Sequence, residues 1–504
     1  MANVLALDLG STQLKLLLLD GEGQLSYVDA VPYETQTPRA GWIEQRPQDW
    51  TAALAAGMRR LREAMPGAEI DAIGFSGHMS GVVLLDAQGE ALYPCITLSD
   101  TRSEAESVML CGQVGELIRR ETGNPVNNAF SLPKLCWLKA HEPELWTRSS
   151  VFLAPKDYLR AQLTGRVATE TTDAYNTLCV SMRTRRWCPE IIRGAGLEME
   201  KFPPLLEPTD CAGHVTPQAA RRFLLPQGVP VFAGGADMAC GAVGMGLFDQ
   251  GESALTLGTS ATFLAPVSQV DSDAWGQVTF HLHALPGLLY ALGSHFNGGL
   301  AVNWLTRMLS GDGTLRYEEI ERLSQLAKQV PPGSNGVLTL PFLAGSGSPY
   351  FCAQDRQTVF GLSAATRPEE LFRSELEGIT LNLAQTKRLF DRMIPSGLAC
   401  VRLGGGGAKV GIWPQMIADV FGTRIDLSRN VDASAVGAAI LAGAGAGLYA
   451  DIRSMARSSL SIGQALLPQA QRHRQYAALA ARYEAAYAQA GRLYARPDGQ
   501  EDMS

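Results

Sequence analysis

The chain has 504 residues, of which 46% are hydrophobic and 18% are charged, and its formal net charge is −7. This length is too great for one hydrophobic core, so we expect two domains of an ordinary globular protein. The acidic balance provides no basic surface for nucleic acid and disfavours anionic membranes. Nine cysteines are scattered with no CxxC pair and no zinc spacing, and no signal peptide is evident, which together favour a reducing cytoplasm.

The first motif is a hairpin-like stretch at residues 4–20. The apolar run Val4 to Leu7 leads into Asp8, a small-residue turn follows at Gly10, Ser11 and Thr12, and a second apolar run ends at Asp20. Two buried strands with a tight turn are predicted. A carboxylate beside free backbone N–H groups suits Mg²⁺ with a phosphate, whereas a strand-end Asp that caps its own turn is an equally good reading of this stretch alone.

The pattern of the first half predicts alternating strands and helices. A polar, flexible loop, Gly77 to Gly81, ends one apolar strand, and Gly234 to Asp237 ends another. We place the domain boundary in a glycine-rich connector, Gly241 to Gly251, which gives domains 1–245 and 252–504. The predicted strands are 25–33, 70–76, 82–86, 91–96 and 230–233, and the predicted helices are 49–64, 103–122, 134–138 and 155–164.

The second half begins with a near-copy of the first hairpin. Leu255 to Ser260 aligns with Leu7 to Thr12, with Thr256 in the place of Asp8. The two halves are therefore expected to be related units, with a metal on the side that carries the carboxylate. Further on we predict strands 401–403 and 423–427, and helices 412–421, 433–448 and 471–494.

The uncharged stretch Ser434 to Ala450 is nearly long enough to cross a bilayer. It consists mostly of Ala and Gly, which insert poorly, so we expect a helix buried against a sheet and no membrane span.

The glycine- and hydroxyl-rich segments indicate a nucleotide site that lacks the common nucleotide-binding motifs. No GxxxxGK[ST], no HRD or DFG and no strict GxGxxG occurs. Two hydroxyl-bearing turns and the strand-loop-helix segment at Gly404 to Ala408 remain as phosphate or nucleotide loops. Asp237 is either the cap of the helix that begins near Met238 or a base for an alcohol acceptor.

These residues resemble the FGGY family of carbohydrate kinases, most closely its xylulokinase members, over nearly the whole chain and in the family's order. The resemblance rests on Asp8 to Thr12 with Lys15, on the W-x-E-Q-x-P-x-x-W segment that begins at Trp42, on Asp100 with Arg102, on Pro155 to Leu159 followed by Thr164-Gly165, on Gly234 to Asp237, on Leu257 to Ser260, on Gly404 to Ala408, and on Asp432 with Ala435, Gly437, Ala438 and Ala439.

The resemblance implies an α/β, actin/hexokinase-like (ribonuclease H-like) fold of two domains with ATP in the cleft. It implies that Asp237 is the general base and that Asp8 holds Mg²⁺ through water. The residues implied to bind phosphates or adenosine are Gly10, Ser11, Thr12, Lys15, Gly258, Thr259, Ser260, Gly406, Gly407 and Ala408. Those implied to line the sugar site are His78, Met79, Ser80, Trp42, Asp100, Arg102, Asp237 and Met238.

The departures from the family pattern all concern the sugar. The family's Met-His-Gly is Met79-Ser80-Gly81 here, Met238 replaces an Asn, and G-E-R-x-P is Gly345-Ser346-Gly347-Ser348-Pro349. A site built for hydroxyl groups is sensitive to such changes, so xylulose is the expected substrate and another ketose, a polyol or a deoxy-sugar is the alternative. His78 and His295 are candidate lining residues, and Asp100 with Arg102 is either part of the sugar pocket or a structural ion pair.

Two classes of function follow from these residues. The first is an ATP-dependent sugar kinase, for which the family suggests a homodimer, and the second is a non-catalytic sugar or nucleotide sensor. Asp8 and Asp237 favour the kinase, because a sensor has no need for a base.

Overall fold

The structure, a computed structural model, describes residues 3–429 and 432–494. The described residues form two compact units. Within the described residues, unit 1 comprises 3–248, 280–289 and 432–460, and unit 2 comprises 249–279, 290–429 and 461–494. Unit 1 therefore takes two helices, Ala433–Gly445 and Ile452–Ser459, and the segment 280–289 from parts of the chain that lie after residue 248.

The sheet of unit 1 is built on the first hairpin. Strand Asn3–Leu9 pairs antiparallel with Gln13–Asp20 and parallel with Ala72–Gly77. The order across the sheet is Cys211–His214, Pro230–Phe232, Ala72–Gly77, Asn3–Leu9, Gln13–Asp20 and Leu25–Pro32, and Gly235–Ala236 also pairs with Ala72–Gly77. The predicted hairpin is confirmed.

Two helices cover the central strands of this sheet. Helix Pro47–Ala64 packs so closely on the second strand that a Cβ at Gly57 would lie 2.4 Å from a Leu16 methyl. Helix Ala433–Gly445 packs so closely on Ala72–Gly77 that a Cβ at Gly74 would lie 2.3 Å from the Ala438 carbonyl oxygen. Side chains alternate across a strand, so Ile73 and Phe75 join the core beside the first helix while Gly74 meets the second.

The prediction of a buried small-residue helix at 434–450 is confirmed, with bounds Ala433–Gly445. No helix among residues 3–429 and 432–494 is long and apolar enough to span a membrane.

The sheet of unit 2 repeats the arrangement. Strand Ala254–Leu257 pairs antiparallel with Ala261–Val267 and parallel with Cys400–Gly404. The sheet continues through Arg424–Ser428 to Ile462–Leu466. Each unit thus has a hairpin whose first strand lies parallel to a third strand, which confirms the expected duplication.

The remaining helices and strands complete the two units. The other helices of unit 1 are Glu104–Thr122, Ser131–His141, Pro143–Arg148, Pro155–Thr164, Thr171–Tyr175, Pro189–Gly194, Pro217–Phe223, Asp237–Gly244 and Ile452–Ser459. Those of unit 2 are Gly299–Leu309, Tyr317–Ala327, Pro368–Met393, Trp413–Phe421 and Ala470–Tyr494. Further strands are Glu44–Gln45, Val83–Leu85, Cys95–Ile96, Val151–Leu153, Thr169–Glu170, Val180–Ser181, Arg186–Trp187, Leu205–Leu206, Thr279–Leu282, Leu289–His295, Leu338–Leu340 and Thr358–Phe360, with short 3₁₀ turns at Met199–Lys201, Ser272–Ala274, Ser334–Gly336 and Gly406–Lys409.

One predicted connector is partly helical. Residues 241–244, expected to begin a loop, are the last turn of helix Asp237–Gly244. A Cβ at Gly244 would lie 1.9 Å from the Ala433 carbonyl oxygen, and a Cβ at Gly437 would lie 1.9 Å from the Cys240 carbonyl oxygen. The glycines therefore serve a close helix–helix contact, and the sequence pattern of a flexible linker was misleading there.

Candidate active site

Asp8 lies at the end of the first strand, beside the turn. It is opposite Lys15 on one neighbouring strand and opposite Ser76 on the other. Its side chain is buried, Ser434 Oγ donates to Oδ2 at 3.0 Å, and Oδ1 accepts no hydrogen bond from any residue that the structure describes. Burial raises the pKa of Asp8, and the charge of Lys15 and the hydroxyl groups of Ser76 and Ser434 act in the opposite direction.

Lys15 is fixed by the residue that precedes the small-residue helix. Its ammonium group donates to Asp432, the N-cap position of helix Ala433–Gly445. Partial burial opposes the charged form, but the Asp432 hydrogen bond and charge outweigh it and raise the pKa of Lys15. Sequence analysis did not assign Asp432 or Ser434 to this site. The sequence feature that could have indicated them is the family-like segment that starts at Asp432.

The first turn presents free backbone donors. Tyr33 OH donates to the Gly10 carbonyl, and Gln45 Nε2 donates to the Ser11 carbonyl at 2.6 Å. The amides of Ser11 and Thr12 donate to no other group in the described part of the chain, and both residues are exposed. A turn whose carbonyls are bound and whose amides are open can accept an anionic group.

Asp237 is the first residue of a helix that follows two glycines. Gly234 has φ +70°, and a Cβ there would lie 1.8 Å from the Phe75 carbonyl oxygen, so only glycine fits. Oδ1 of Asp237 accepts from the adjacent Met238 amide at 2.8 Å, and the N-cap position is occupied by Ala236. The carboxylate therefore does not act as the N-cap that sequence analysis considered.

The environment of Asp237 favours a neutral carboxyl group. Protein atoms surround it although part of the side chain remains accessible. Burial, and then the charge of Asp8, raise the pKa of Asp237 to about 7. A carboxyl group with this pKa can take up and release a proton near neutrality.

The loop after strand Ala72–Gly77 carries the residues predicted for the sugar side. His78, Met79 and Ser80 are all buried, and Ser80 has φ +64°, which is strained for a residue with a side chain. Burial lowers the pKa of His78 to about 4, so the ring is neutral, and its Nε2 has no partner among the described residues. Met238 is half-buried next to Asp237.

Asp100 and Arg102 are bound to each other and to the loop around Trp42. Nε and Nη2 of Arg102 donate to the two oxygens of Asp100 at 2.9 and 2.7 Å, and Nη1 lies 2.8 Å from Glu44. The guanidinium carbon lies 3.8 Å from the Trp42 ring centroid, and the Ile43 amide donates to Asp100 at 2.6 Å. This arrangement supports the structural ion-pair alternative, because the strong donors and acceptors are occupied within the protein.

His295 belongs to unit 2 and has a partner at each ring nitrogen. Nδ1 lies 3.0 Å from Asn382 Oδ1, and Nε2 lies 3.2 Å from Thr386 Oγ1. Burial lowers its pKa to about 4. These contacts describe a structural histidine.

The second turn, in unit 2, is bound at its carbonyls in the same way as the first. The Gly258 carbonyl accepts from Gly299 at 2.7 Å, and the Thr259 carbonyl accepts from Gly298 and Leu300 at 3.1 and 2.9 Å. The amides of Thr259 and Ser260 donate to no group in the part of unit 2 that the structure describes. This turn too can accept an anion.

The glycine-rich loop lies next to the second turn because their strands are neighbours. Thr256 pairs with Gly404, and a Cβ at Gly405, which has φ +86°, would lie 2.4 Å from the Leu257 carbonyl oxygen. A 3₁₀ turn, Gly406–Lys409, follows within the predicted loop, before the helix Trp413–Phe421. The predicted residues Gly406, Gly407 and Ala408 are thus brought beside Gly258, Thr259 and Ser260.

The segment that departs from the family's G-E-R-x-P is packed within unit 2. Asn297 Nδ2 donates to the Gly345 carbonyl at 2.7 Å, and a Cβ at Gly347 would lie 2.1 Å from the Ser294 carbonyl oxygen. Ser346 Oγ accepts from the Cys352 amide at 3.0 Å. These small residues are therefore needed for a close contact between loops.

The donor set fits a magnesium ion held by one carboxylate. Oδ1 of Asp8 is a buried oxygen with no hydrogen-bond partner among the described residues, as expected of an atom that faces a cation or its water. Within the described ranges, no group of three or more His, Cys, Asp or Glu could hold a metal. A hard cation that keeps most of its water shell requires only one or two carboxylates.

Comparison with known proteins identifies the class. The model of the FGGY family of carbohydrate kinases, N-terminal domain, matches residues 3–244, and that of the C-terminal domain matches residues 253–446. The chain belongs to this family, has its actin/hexokinase-like two-domain fold, and is a carbohydrate kinase.

Particular relatives are similar over nearly the whole chain. A xylulose kinase from Bacillus subtilis (strain 168) is 33% identical over 489 residues, which cover 97% of each chain. A gluconokinase from the same organism is 26% identical over 454 residues, 89% of this chain and 87% of that one. A solved structure described as a xyloylose kinase from Brucella ovis is 29% identical, with a TM-score of 0.89 over 97% of this chain and 100% of that one.

Proposed function

We propose that the protein transfers the γ-phosphoryl group of ATP to a hydroxyl group of a small sugar, and that the sugar is D-xylulose, with D-xylulose 5-phosphate as product. Asp237 carries the proposal. It follows Gly234 at the end of a strand, it has a pKa near neutrality, and one neighbouring amide is its hydrogen-bond donor among the described residues. It is therefore available as a base for an incoming hydroxyl group.

The proposed reaction proceeds in line. The Asp237 carboxylate accepts the proton of the sugar hydroxyl while its oxygen forms a bond to the γ-phosphorus, and the bond to the bridging oxygen of ADP breaks. Within unit 1, the free amides of the turn at Ser11 and Thr12 and the ammonium of Lys15 hold phosphate oxygens. Within unit 2, the free amides of Thr259 and Ser260 form a second anion-binding turn. Asp8 holds Mg²⁺, which neutralises phosphate charge when bound.

The choice of sugar rests on the relatives. Xylulose kinases cover most of this chain at 31–33% identity, which favours xylulose. Met238 lacks the hydrogen-bonding amide of the family's Asn, Ser80 has a small hydroxyl group in the place of the family's His, and a gluconokinase is also a relative, so gluconate is the second candidate.

The test is ADP release with Mg-ATP over a panel of ketoses, polyols and sugar acids. We expect turnover with xylulose, and a loss of at least about 1,000-fold in kcat in Asp237→Ala because the base is absent. Asp49→Ala, at an accessible position in the first turn of helix Pro47–Ala64, is the control and should retain activity. Turnover with gluconate but not with xylulose would identify gluconate as the substrate. ATP binding without turnover on any sugar would favour the non-catalytic sensor.

A further inference from the structure

A buried cluster of charged residues lies behind the segment that carries Asp237. Its members are Lys156 and Arg160 from helix Pro155–Thr164 and three carboxylates, Asp157, Glu170 and Asp173. Nζ of Lys156 lies 2.7 Å from Asp157, 3.0 Å from Asp173 and 3.2 Å from Glu170, and Arg160 lies 2.6 Å from Asp157. The five side chains are at most 1% exposed.

Opposite charges hold the cluster together. Three carboxylates face two cations, and the pKa of Asp173 is raised well above its usual range by burial, which brings the cluster close to neutral. Burial disfavours the charged form of Lys156, but the surrounding carboxylates outweigh it and raise its pKa. A network of this kind has few alternative arrangements, because each charge needs its partners.

Two hydrogen bonds connect this cluster to the strand segment before Asp237. Nη1 of Arg160 donates to the Ala233 carbonyl at 2.9 Å. The hydroxyl of Thr172 accepts from the Ala236 amide at 2.9 Å and donates to Glu170 Oε1 at 2.9 Å. Together the two bonds hold both ends of the four residues that precede Asp237.

The segment contains the pair Gly234-Gly235, followed by Ala236 and then Asp237. On the side away from Asp237 its backbone is held by the Ala233 amide, which donates to the Asp210 carbonyl at 3.0 Å, and by the Gly234 amide, which donates to the Pro208 carbonyl at 2.9 Å. Glycine has the greatest backbone freedom of any residue, so the contacts of Ala236, after the pair, matter for the position of Asp237. The segment pairs with strand Ala72–Gly77 only at Gly235 and Ala236. The Thr172 bond to Ala236 is the last contact of the cluster before Asp237 itself.

We propose that Thr172 is a positioning residue, whose hydroxyl couples the buried charge cluster to the Ala236 amide and thereby sets the position of Asp237. The inference rests on the proposed function, in which Asp237 is the base. Thr172 does not touch substrate and acts through Ala236.

The test compares Thr172→Val, which replaces the hydroxyl with a methyl group, with Thr172→Ser, which keeps it. Thr177→Val is the matched control. Its hydroxyl, in the same unit and equally buried, also accepts from an amide, that of Cys179 at 3.1 Å, and donates to a carbonyl, that of Ala174 at 2.6 Å. Both valine variants thus lose an amide-binding hydroxyl group, but only one loses it next to Asp237.

We expect Thr172→Val to lower kcat roughly 10- to 100-fold with little change in KM, because a displacement well under 1 Å at a reacting group is costly. Thr172→Ser should stay within about threefold of the native kcat, and Thr177→Val should do the same. Equal kcat values in the two valine variants, or a serine variant as slow as the valine variant, would overturn the proposal. If Thr172→Val does not fold, Thr172→Ala, which forces no methyl group against the amide, is judged by the same criteria.

A double variant separates this proposal from the proposed function. In the Asp237→Ala background, Thr172→Val should leave the residual rate unchanged, because the side chain it positions is gone. If Thr172→Val lowers kcat in the Asp237→Ala background by the same factor as in the native protein, the positioning role is overturned. Native kcat in Asp237→Ala alone would instead overturn the role of Asp237 as base.

Discussion

Asp237 and Asp8 show how burial changes the proton affinity and the hydrogen bonding of a carboxyl group. A solvated aspartate is a weak base at neutral pH because its pKa is low. In this protein, burial and the charge of Asp8 raise the pKa of Asp237 to about 7, which makes the carboxylate a stronger proton acceptor. The same burial leaves Asp8 Oδ1 without a hydrogen-bond partner among the described residues, beside the equally unpartnered Ser76 hydroxyl.

The raised pKa of Asp237 predicts the acid side of the pH profile. Only the ionised form accepts a proton, so kcat/KM should be near its plateau above about pH 7 and should fall about tenfold per pH unit well below it. The measurement is kcat/KM from pH 5 to 9, by direct detection of the phosphorylated sugar. A flat profile down to pH 5 would contradict the assignment.

Glu375 in unit 2 makes a separate prediction about stability. Its side chain is buried, Gln357 donates to it at 2.8 Å, and burial raises its pKa to about 8. Between the ordinary glutamate pKa and 8, the folded protein holds a proton that the unfolded chain has released, so the free energy of unfolding decreases as pH rises through this window.

The variant Glu375→Gln keeps the shape of the side chain but replaces the carboxyl group with an amide that does not titrate. As the pH rises from 5 to 8, the free energy of unfolding of the native protein should fall by on the order of 3 kcal/mol relative to that of Glu375→Gln. Urea denaturation at each pH measures this difference. The exposed Glu116→Gln of unit 1 is the control and should change little. Parallel curves for Glu375→Gln and the native protein would show that the buried carboxyl group does not titrate in this window.

At the scale of elements, the crossing of helices Asp237–Gly244 and Ala433–Gly445 depends on two glycines. Each approaches the backbone of the other helix, with Gly244 at Ala433 and Gly437 at Cys240. Backbone atoms cannot move aside as a flexible side chain can. The crossing therefore sets the distance between the helix that begins with Asp237 and the helix whose first turn holds Ser434.

Gly437→Ala should destabilise unit 1 by about 3 kcal/mol, because its methyl group would overlap the Cys240 carbonyl. Gly112→Ala is the control, since Gly112 lies in helix Glu104–Thr122 and a methyl group added there would have no neighbouring atom within 4 Å. It should stabilise the same unit by about 0.5 to 1 kcal/mol. Urea denaturation distinguishes the two variants, and equal midpoints would contradict this account of the crossing.

The two hairpins could be predicted from the sequence because each is encoded by neighbouring residues. The turn at Gly10 to Thr12 and its near-copy at Gly258 to Ser260 stand between apolar runs, and the structure has a hairpin at each place. The contacts of Lys15 with Asp432 and of Asp8 with Ser434 join positions more than 400 residues apart, so no periodicity reports them. Thr172 lies among other polar residues, and nothing in that pattern separates it from its neighbours.

At the scale of the whole molecule, the chain leaves unit 1 after residue 248 and returns to it at 280–289 and 432–460. The returning helix Ala433–Gly445 covers one face of the central strands, where Gly74 meets Ala438. A fragment of residues 1–248 therefore lacks part of its own core, although it contains the whole region matched by the N-terminal family model.

That fragment should not fold to a native-like state. We expect it to bind a hydrophobic dye and to unfold without a cooperative transition, because the face that the helix covers is exposed. The same fragment with residues 432–460 joined through a flexible linker is the comparison and should recover cooperative unfolding. A cooperative, monomeric 1–248 fragment would show that the helix is dispensable for the fold.

The hydrogen bond between Asp8 and Ser434 spans 426 residues of chain. A ribosome that adds roughly 5 to 20 residues per second needs about 20 to 90 s to make that length. The first strand and its turn are synthesised at the start of this time and Asp237 about halfway through it, but Asp8 and Lys15 lack Ser434 and Asp432 until its end. A nascent chain therefore carries Asp8 without its hydrogen-bond donor for most of its synthesis, and this contact forms only when the protein is almost whole.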